Sequence, residues 1–555
     1  MSLFYELRRR NVLKVAFVYV VGAALAYWLA VVLQTQLDLP WWTSRLVAIL
    51  LVIGLPVALI FAWVYELTPA GLKKAVDVDQ TQSIVFKTGQ KLNAALAVLV
   101  VLAGVAMIAD RLLPELAVVE PPPVPERVFT KPANAETPAE IRSFTLDNGL
   151  EFIVWPDHDI PNVVMYTFVR AGGRNEYPGI TGLAHFFEHM MFNGTDSRPA
   201  GEFDRIIESS GGASNAYTSN DVTVYQDWFP RSALETVFEL EADRFANLAI
   251  VPDVVESERG VVTSERRTSV DNNNPRKLYE QVRATAFIAH PYQFPVIGWP
   301  SDIAAWTQED LESFFRTYYA PNNLTVVIAG DVTPDDVYTL ADEYFAGIPA
   351  QDPPAEVRTV EPEQTGMRRI VIETDAQTPL VQLAFHAGSA ADAETLPLTL
   401  LLNILVGGES SRLHQLLVEE LQLAISVGGF QDEGFDPGLA YFYATLPAGG
   451  DPAAVEARII EALSDVAANG VSDAELAKAR NIVLADFWRQ MATIDGKASV
   501  LGDFDVFLGD YELAFERPDA VQNIGNEALM AVAADIFRPQ NATVGVLLPA
   551  AGAGE

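Results

Sequence analysis

The sequence predicts an α+β chain, with two related soluble lobes preceded by an all-α transmembrane segment. Three observations carry this: three uncharged apolar runs near the start, a weak repeat downstream, and mixed strand and helix periods after residue 139. With 555 residues the chain is too long for one core, so several units are expected. Half of its residues are hydrophobic, which excludes a disordered or collagen-like chain. It has no Cys, which removes disulfides, Cys-ligated zinc, iron–sulfur clusters and thiol nucleophiles. Its 37 Lys and Arg face 73 Asp and Glu, a net charge of −36 that argues against nucleic acid as a partner.

The runs Val15–Leu33, Leu46–Val64 and Leu92–Ala109 contain no Asp, Glu, Lys or Arg. Each is long enough to cross a bilayer core as a helix. Trp28, Trp41, Trp42, Trp63 and Tyr65 lie near their ends, where aromatic rings favour the interface. Residues 1–113 carry ten Lys and Arg against six Asp and Glu, leaving −40 for the remainder. Arg8, Arg9, Arg10 and Lys14 precede the first run, and Lys73, Lys74, Lys87 and Lys91 precede the third. By the positive-inside rule the third span exports everything downstream. The segment from LRRRNVLKVAF to YELTPAGLKK resembles a membrane module found ahead of bacterial regulatory domains. The expectation, with the bacterial module that this part resembles, is a multi-pass protein of a bacterial cytoplasmic membrane with its soluble part in the periplasm. Residues 114–138 are rich in Pro and are expected to be a semi-rigid tether.

The first lobe is expected over 139–355 and the second over 367–555, joined by a linker at 356–366. Ala171–Gly172 and Ala387–Gly388 lie 216 residues apart, and Pro321 and Pro539 lie 218 apart, which points to a duplicated lobe. Leu150–Trp155, Val163–Val169 and Leu324–Ala329 read as strands. Leu183–Phe192, Gly201–Ser210, Leu234–Ala249, Ala453–Ala468 and Asp473–Ala492 read as helices.

The chemistry sits in GLAHFFEHMMF. On a helix His185, Glu188 and His189 share one face, so both imidazoles can reach one metal ion with a carboxylate beside it. A catalytic zinc takes three protein ligands and a water, so a third ligand is needed from elsewhere. Idle buried His in so apolar a helix would be costly. The order His-x-x-Glu-His inverts the HExxH motif. No GxSxG elbow and no GxxxxGK[ST] loop is present.

On these residues, and on Glu258–Glu265 (ERGVVTSE), the chain resembles the family of insulysin, pitrilysin and the mitochondrial processing peptidase, and it does so over nearly all of 139–555. The resemblance implies two pitrilysin-type lobes and a zinc-dependent endopeptidase acting on peptides or unfolded segments. It implies Zn2+ held by His185, His189 and Glu265, with Glu188 as the catalytic base and Glu258 orienting a zinc histidine. It also implies that NAYTS is an edge strand, with Asn215 and Ala216 along the substrate. Solitary members carry an Arg and a Tyr seven apart in a string like LREELGLAYSV. Here that string is LVEELQLAISV, with Val418 and Ile425 in their places. The absence, with only two lobes present, leads to the expectation of a heterodimer whose related partner chain supplies the pair. The alternative reading is a non-catalytic scaffold or binding subunit.

Overall fold

The structure, a computed structural model, describes residues 129–550 apart from 135, the helix Val12–Gln36 and parts of 47–74. The chain divides into two compact units, residues 1–126 and 127–555.

In the first unit the helix Val12–Gln36 covers the first apolar run, with side chains described at scattered positions only. The segments β1 (Tyr65–Thr68) and β2 (Gly71–Lys74) pair antiparallel. The second run is described only in fragments, and the third lies outside the described residues. Among the described residues no helix is long and apolar enough to cross a membrane. The three expected spans therefore rest on sequence alone.

The second unit holds two sheets of one topology. The first is ordered β3 (Arg142–Thr145), β4 (Glu151–Pro156), β8 (Leu324–Gly330), β5 (Asn162–Val169), β7 (Thr223–Pro230) and β6 (Ala213–Thr218). The second runs β9 (Arg368–Thr374), β13 (Ala542–Pro549), β10 (Leu380–His386), β12 (Leu439–Thr445) and β11 (Ser426–Gln431). Each contains one parallel pair, β4 with β8 and β9 with β13, in an otherwise antiparallel ladder. Apart from the extra β3, the second sheet repeats the first strand for strand. The short 3-10 turns Pro321–Asn323 and Pro539–Asn541 lead into the equivalent strands β8 and β13. The repeat seen in sequence is a repeat of fold.

The central strands of each sheet are buried on both faces. Along β5, Val163, Met165 and Val169 join the core under the first lobe's own helices, while Val164, Tyr166 and Phe168 face the other way. Strands β4 and β8 alternate similarly, as residues on a pleated strand must. The cover on that second face comes from the other lobe: Phe487, Met491, Ala498, Leu501 and Val506, largely from the helix Ile494–Leu508. The exchange is reciprocal. The helix Asn274–Ala286 of the first lobe places Leu278, Val282 and Ala286 against Ala384, Tyr441 and Leu547 of the second sheet.

Residues 129–138, expected to belong to the tether, pack on this unit. Phe129 meets Phe144 and Tyr338 edge-on, and Thr130 bridges Ser143. The inter-lobe linker is also pinned: the Glu361 carboxylate accepts the backbone N–H groups of Ile288, Ala289 and His290, each at 2.9 Å. Buried Gln364 donates to the Ala542 carbonyl at 2.8 Å.

Two glycines mark where the exchanged helices touch the sheets. A Cβ on Gly502 would fall 2.0 Å from Phe168 Cε2, and one on Gly545 would fall 2.2 Å from Val282 Cγ2. Gly502→Ala is expected to lower stability by about 1–3 kcal/mol through overpacking. Gly260→Ala, on a helix with nothing within 4 Å of the added Cβ, is expected to raise it by about 0.5–1 kcal/mol. Urea unfolding of both variants measures the contrast, and equal midpoints would refute the close approach.

Candidate metal centre

The helix Leu183–Met190 buries Leu183, Ala184, Phe186, Phe187 and Met190. Phe187 stacks on Phe314 at 5.5 Å between centroids, and Phe186 lies 4.9 Å from Trp306. These contacts fix the helix rotation, so His185, Glu188 and His189 stand on its less buried face. Its start is fixed by Gly182, whose φ of +90° and closeness to the Ile297 carbonyl exclude a side chain. The Glu176 carboxylate, buried at 3% exposure, accepts the N–H of Gly182 at 2.7 Å and of Ala184 at 2.8 Å. A carboxylate there satisfies two donors with no intrahelical partner and faces the positive helix end. Desolvation nonetheless pushes the Glu176 carboxyl well above its ordinary pKa.

The helix Pro252–Arg266 brings the remaining acids. Glu258 and Glu265 are seven residues apart, on one face two turns apart. Glu258 Oε1 lies 2.8 Å from His189 Nδ1, and its Oε2 accepts from Asn193 Nδ2 at 3.0 Å. This directs His189 Nε2 away, towards Glu265 Oε2 at 3.3 Å. His185 Nε2 lies 3.7 Å from the same oxygen. One ligand atom from each of His185, His189 and Glu265 lies within 4.8 Å of the others. Past Glu265 the helix widens into a π-turn at Arg267–Asp271. Arg266, at that junction, donates to both Glu280 oxygens at 2.9 and 3.0 Å and to the Gly298 carbonyl at 2.8 Å.

The arrangement fits a divalent ion. Zinc bonds of about 2.0–2.1 Å in a tetrahedron separate neighbouring ligand atoms by about 3.3–3.4 Å, close to the two N–O separations seen. The electrostatics agree. Burial and then the His189 charge push His185 down to about 4, keeping it neutral. Burial opposes charge on His189 too, but its bonds to Glu258 and Glu265 outweigh this and raise it to about 9. The hydrogen bond from His189 is also the leading cause that holds both acids below the usual carboxylate range. Metal binding at such a site would displace the His189 proton.

Glu188 stands beside the centre. Burial pushes its carboxyl up, and the hydrogen bond from Thr218 Oγ1 to Oε2 at 2.6 Å partly offsets this. Thr218 ends β6, which among the described residues is the edge of its sheet and pairs with β7. Asn215 is exposed and Ala216 half-buried on that strand, opposite Gln226 and Tyr225. Thr218 is also on the wall of a cavity of about 420 Å3 that His185 and Glu265 line.

All the site residues expected from sequence lie in this region, but the helix-capping Glu176, the orienting Asn193 and Thr218, and the Arg266 anchor were not anticipated. In the second lobe Val418 is half-buried and Ile425 is 58% exposed at the start of β11. Arg412 donates to both oxygens of Glu475 at 2.6 and 2.9 Å, so it serves the second lobe's own packing.

The sequence profile described as Insulinase (Peptidase family M16) matches residues 157–298, and that of the Peptidase M16 inactive domain matches 305–483. The chain belongs to the M16 peptidase family. It is 31% identical over 420 residues to the zinc protease PqqE of Helicobacter pylori, covering 73% of this chain and 92% of that one. A protease from Helicobacter pylori of known structure superposes with a TM-score of 0.71 at 30% identity, over 74% of this chain and 99% of that one. An M16 inactive domain from Pseudomonas fluorescens shares the fold, with a TM-score of 0.69 at 16% identity over 74% of this chain and 98% of that one. The profile labelled inactive covers neither His185, Glu188, His189 nor Glu265.

Glu265→Gln is expected to abolish tight divalent metal binding, since a neutral amide is a poor substitute for a carboxylate. Glu258→Gln is expected to retain the metal with affinity about 10–100-fold lower. Metal content and competition with a chromophoric chelator measure both. Unchanged affinity in the first variant would remove Glu265 from the ligand set.

Proposed function

We propose that the chain is a membrane-anchored, zinc-dependent endopeptidase that hydrolyses peptides or unfolded protein segments. The observation that carries this is the convergence of His185, His189 and Glu265 within 4.8 Å, with Glu188 on the same helix. Zinc held by those three side chains supplies Lewis acidity, bringing water's proton loss towards neutral pH and polarising the scissile carbonyl. Thr218 holds one oxygen of Glu188. The other takes the proton of the attacking water and passes it to the leaving amine. The raised proton affinity of this buried carboxyl suits a group that must both take and give a proton. Glu258 keeps the Nε2 of His189 turned to the metal. Substrate adds as a strand to the free edge of β6, along Asn215 and Ala216. Four filled positions and the named zinc proteases among its relatives support catalysis over a non-catalytic scaffold.

The three apolar runs and the Lys and Arg ahead of the first and third support anchoring in a bacterial cytoplasmic membrane, with the peptidase unit in the periplasm. The missing Arg and Tyr at Val418 and Ile425, with Arg412 engaged elsewhere, support a heterodimer with a related two-lobed chain that supplies them.

In detergent-purified full chain, Glu188→Gln is expected to keep stoichiometric zinc and lose peptide cleavage. Activity within about tenfold of the wild type would remove Glu188 as the base. In the same preparation, a homodimer with full turnover that no related chain increases would overturn the heterodimer. Protease added to intact spheroplasts is expected to degrade the peptidase unit, and full protection would reverse the orientation.

A further inference from the structure

The cavity beside the histidines carries a charge that the peptidase reading leaves unused. On the helix Asn274–Ala286, Arg276, Tyr279 and Arg283 stand at i, i+3 and i+7, on one helix face. All three line the cavity that His185 and Glu265 line. Glu280 lines it as well, but its carboxylate is engaged at both oxygens by Arg266. Arg283 is 3% exposed. Its Nε donates to the Tyr292 carbonyl at 2.5 Å, and its Nη1 to Asp432 at 2.8 Å and to Tyr279 Oη at 3.0 Å. Its Nη2 is buried with no hydrogen-bond partner. Arg276 is exposed, and among the described residues its guanidinium makes no hydrogen bond or ion pair. In a chain of net charge −36, an unpaired guanidinium and an orphaned buried N–H on one helix face, beside the metal ligands, call for an anionic acceptor.

The geometry points to a carboxylate subsite. We propose that a substrate carboxylate near the scissile bond docks on the Arg276 guanidinium, on the helix face that also carries Arg283. The ligand is a peptide that carries either an Asp or Glu side chain or its own C-terminal carboxylate there. The proposal rests on the peptidase reading for the nature of its ligand. A guanidinium presents two parallel N–H groups that match the two oxygens of a carboxylate. Tyr279 is held by its ring, 5.2 Å from Tyr441 and 6.0 Å from Phe430. Its oxygen accepts from Arg283 Nη1 at 3.0 Å. A substrate Lys or Arg at this subsite would meet Arg276 as a like charge.

The test uses zinc-loaded full chain carrying Glu188→Gln, which binds without cleaving, and fluorescent peptides read by anisotropy. In one peptide series a Glu is moved through successive positions, each paired with its Gln counterpart. In another the C-terminal acid is paired with the amide. One position, or the terminus, is expected to bind about tenfold tighter as the carboxylate, the size of a partly screened charge-assisted hydrogen bond. That preference is expected to vanish when Arg276→Ala is added, and to return in part with Arg276→Lys. Which series shows the preference identifies the carboxylate's source. Should Arg276→Ala melt early, Arg276→Gln serves instead. No preference in either series, or a preference that survives loss of Arg276, overturns the subsite. Wild-type protein that cleaves nothing while the Arg276-dependent preference persists would sink the peptidase reading and leave the subsite standing.

Discussion

Covering both faces of the central strands of each sheet is the constraint from which the rest of the second unit follows. A strand that is apolar on both sides has no face to give to water. The first lobe's helices close one side of its sheet, and Val164, Tyr166, Phe168 and Val327 would be left bare on the other. Ala384, Tyr441 and Leu547 would be bare in the second lobe. Each lobe closes the other's open side, largely with one helix, so the central strands of neither sheet are covered on both faces by their own lobe alone. The same exchange shapes the candidate metal centre. The helix that leaves to cover the second sheet begins at Asn274, nine residues beyond Glu265. Arg266, at the start of that departure, is fixed to Glu280 and Gly298, and so fixes its neighbour Glu265.

Electrostatically the centre is a place where burial and pairing oppose one another. Two histidines and four carboxylates, Glu176, Glu188, Glu258 and Glu265, are gathered around one short helix. Burial alone would neutralise all of them. Two devices resist it. Glu176 is met by backbone N–H groups at a helix start, and Glu258 and Glu265 by one histidine between them. Glu188 has Thr218 and the charge of His189 to offset its burial, and its carboxyl still sits above the ordinary range. Proton traffic is most natural where a proton is gained and lost at similar cost.

The parts legible in the sequence were those written locally. HFFEH and ERGVVTSE each lie within one helix, so spacing alone sets their shared faces. The helices at 183–190, 234–247, 452–469 and 473–491 fall within two residues of their expected bounds. The repeat was legible because AG and P-x-N mark equivalent turns. What was not legible is what depends on distant partners. Nothing in IDGKASVLGDFDVFL says which sheet it covers, and Gly502 gains meaning only beside Phe168, more than 300 residues earlier. Glu176 caps a helix six residues on, across a turn that periodicity does not encode. The tether was read by composition, and composition does not reveal that Phe129 packs on Phe144.

The second lobe carries no His-x-x-Glu-His string, yet it bears on the first lobe's chemistry through the β6–β7 hairpin. Thr218, which holds Glu188, lies three residues before Asp221 on that hairpin. Asp221 is buried and accepts from the Tyr292 hydroxyl at 2.7 Å. The second lobe closes over this pair: the Asp436 N–H donates to the Tyr292 hydroxyl at 3.2 Å, and Asp436 accepts from Arg174 Nε at 2.9 Å. The fit is tight enough to require glycine at 434, where a Cβ would sit 2.3 Å from Tyr292 Oη and 2.5 Å from Asp221 Oδ2. A loop of the second lobe therefore presses on the hairpin that sets the Glu188 carboxylate. Such a contact gives the second lobe a structural bearing on the candidate metal centre: the hairpin that carries Thr218 is held from both lobes at once.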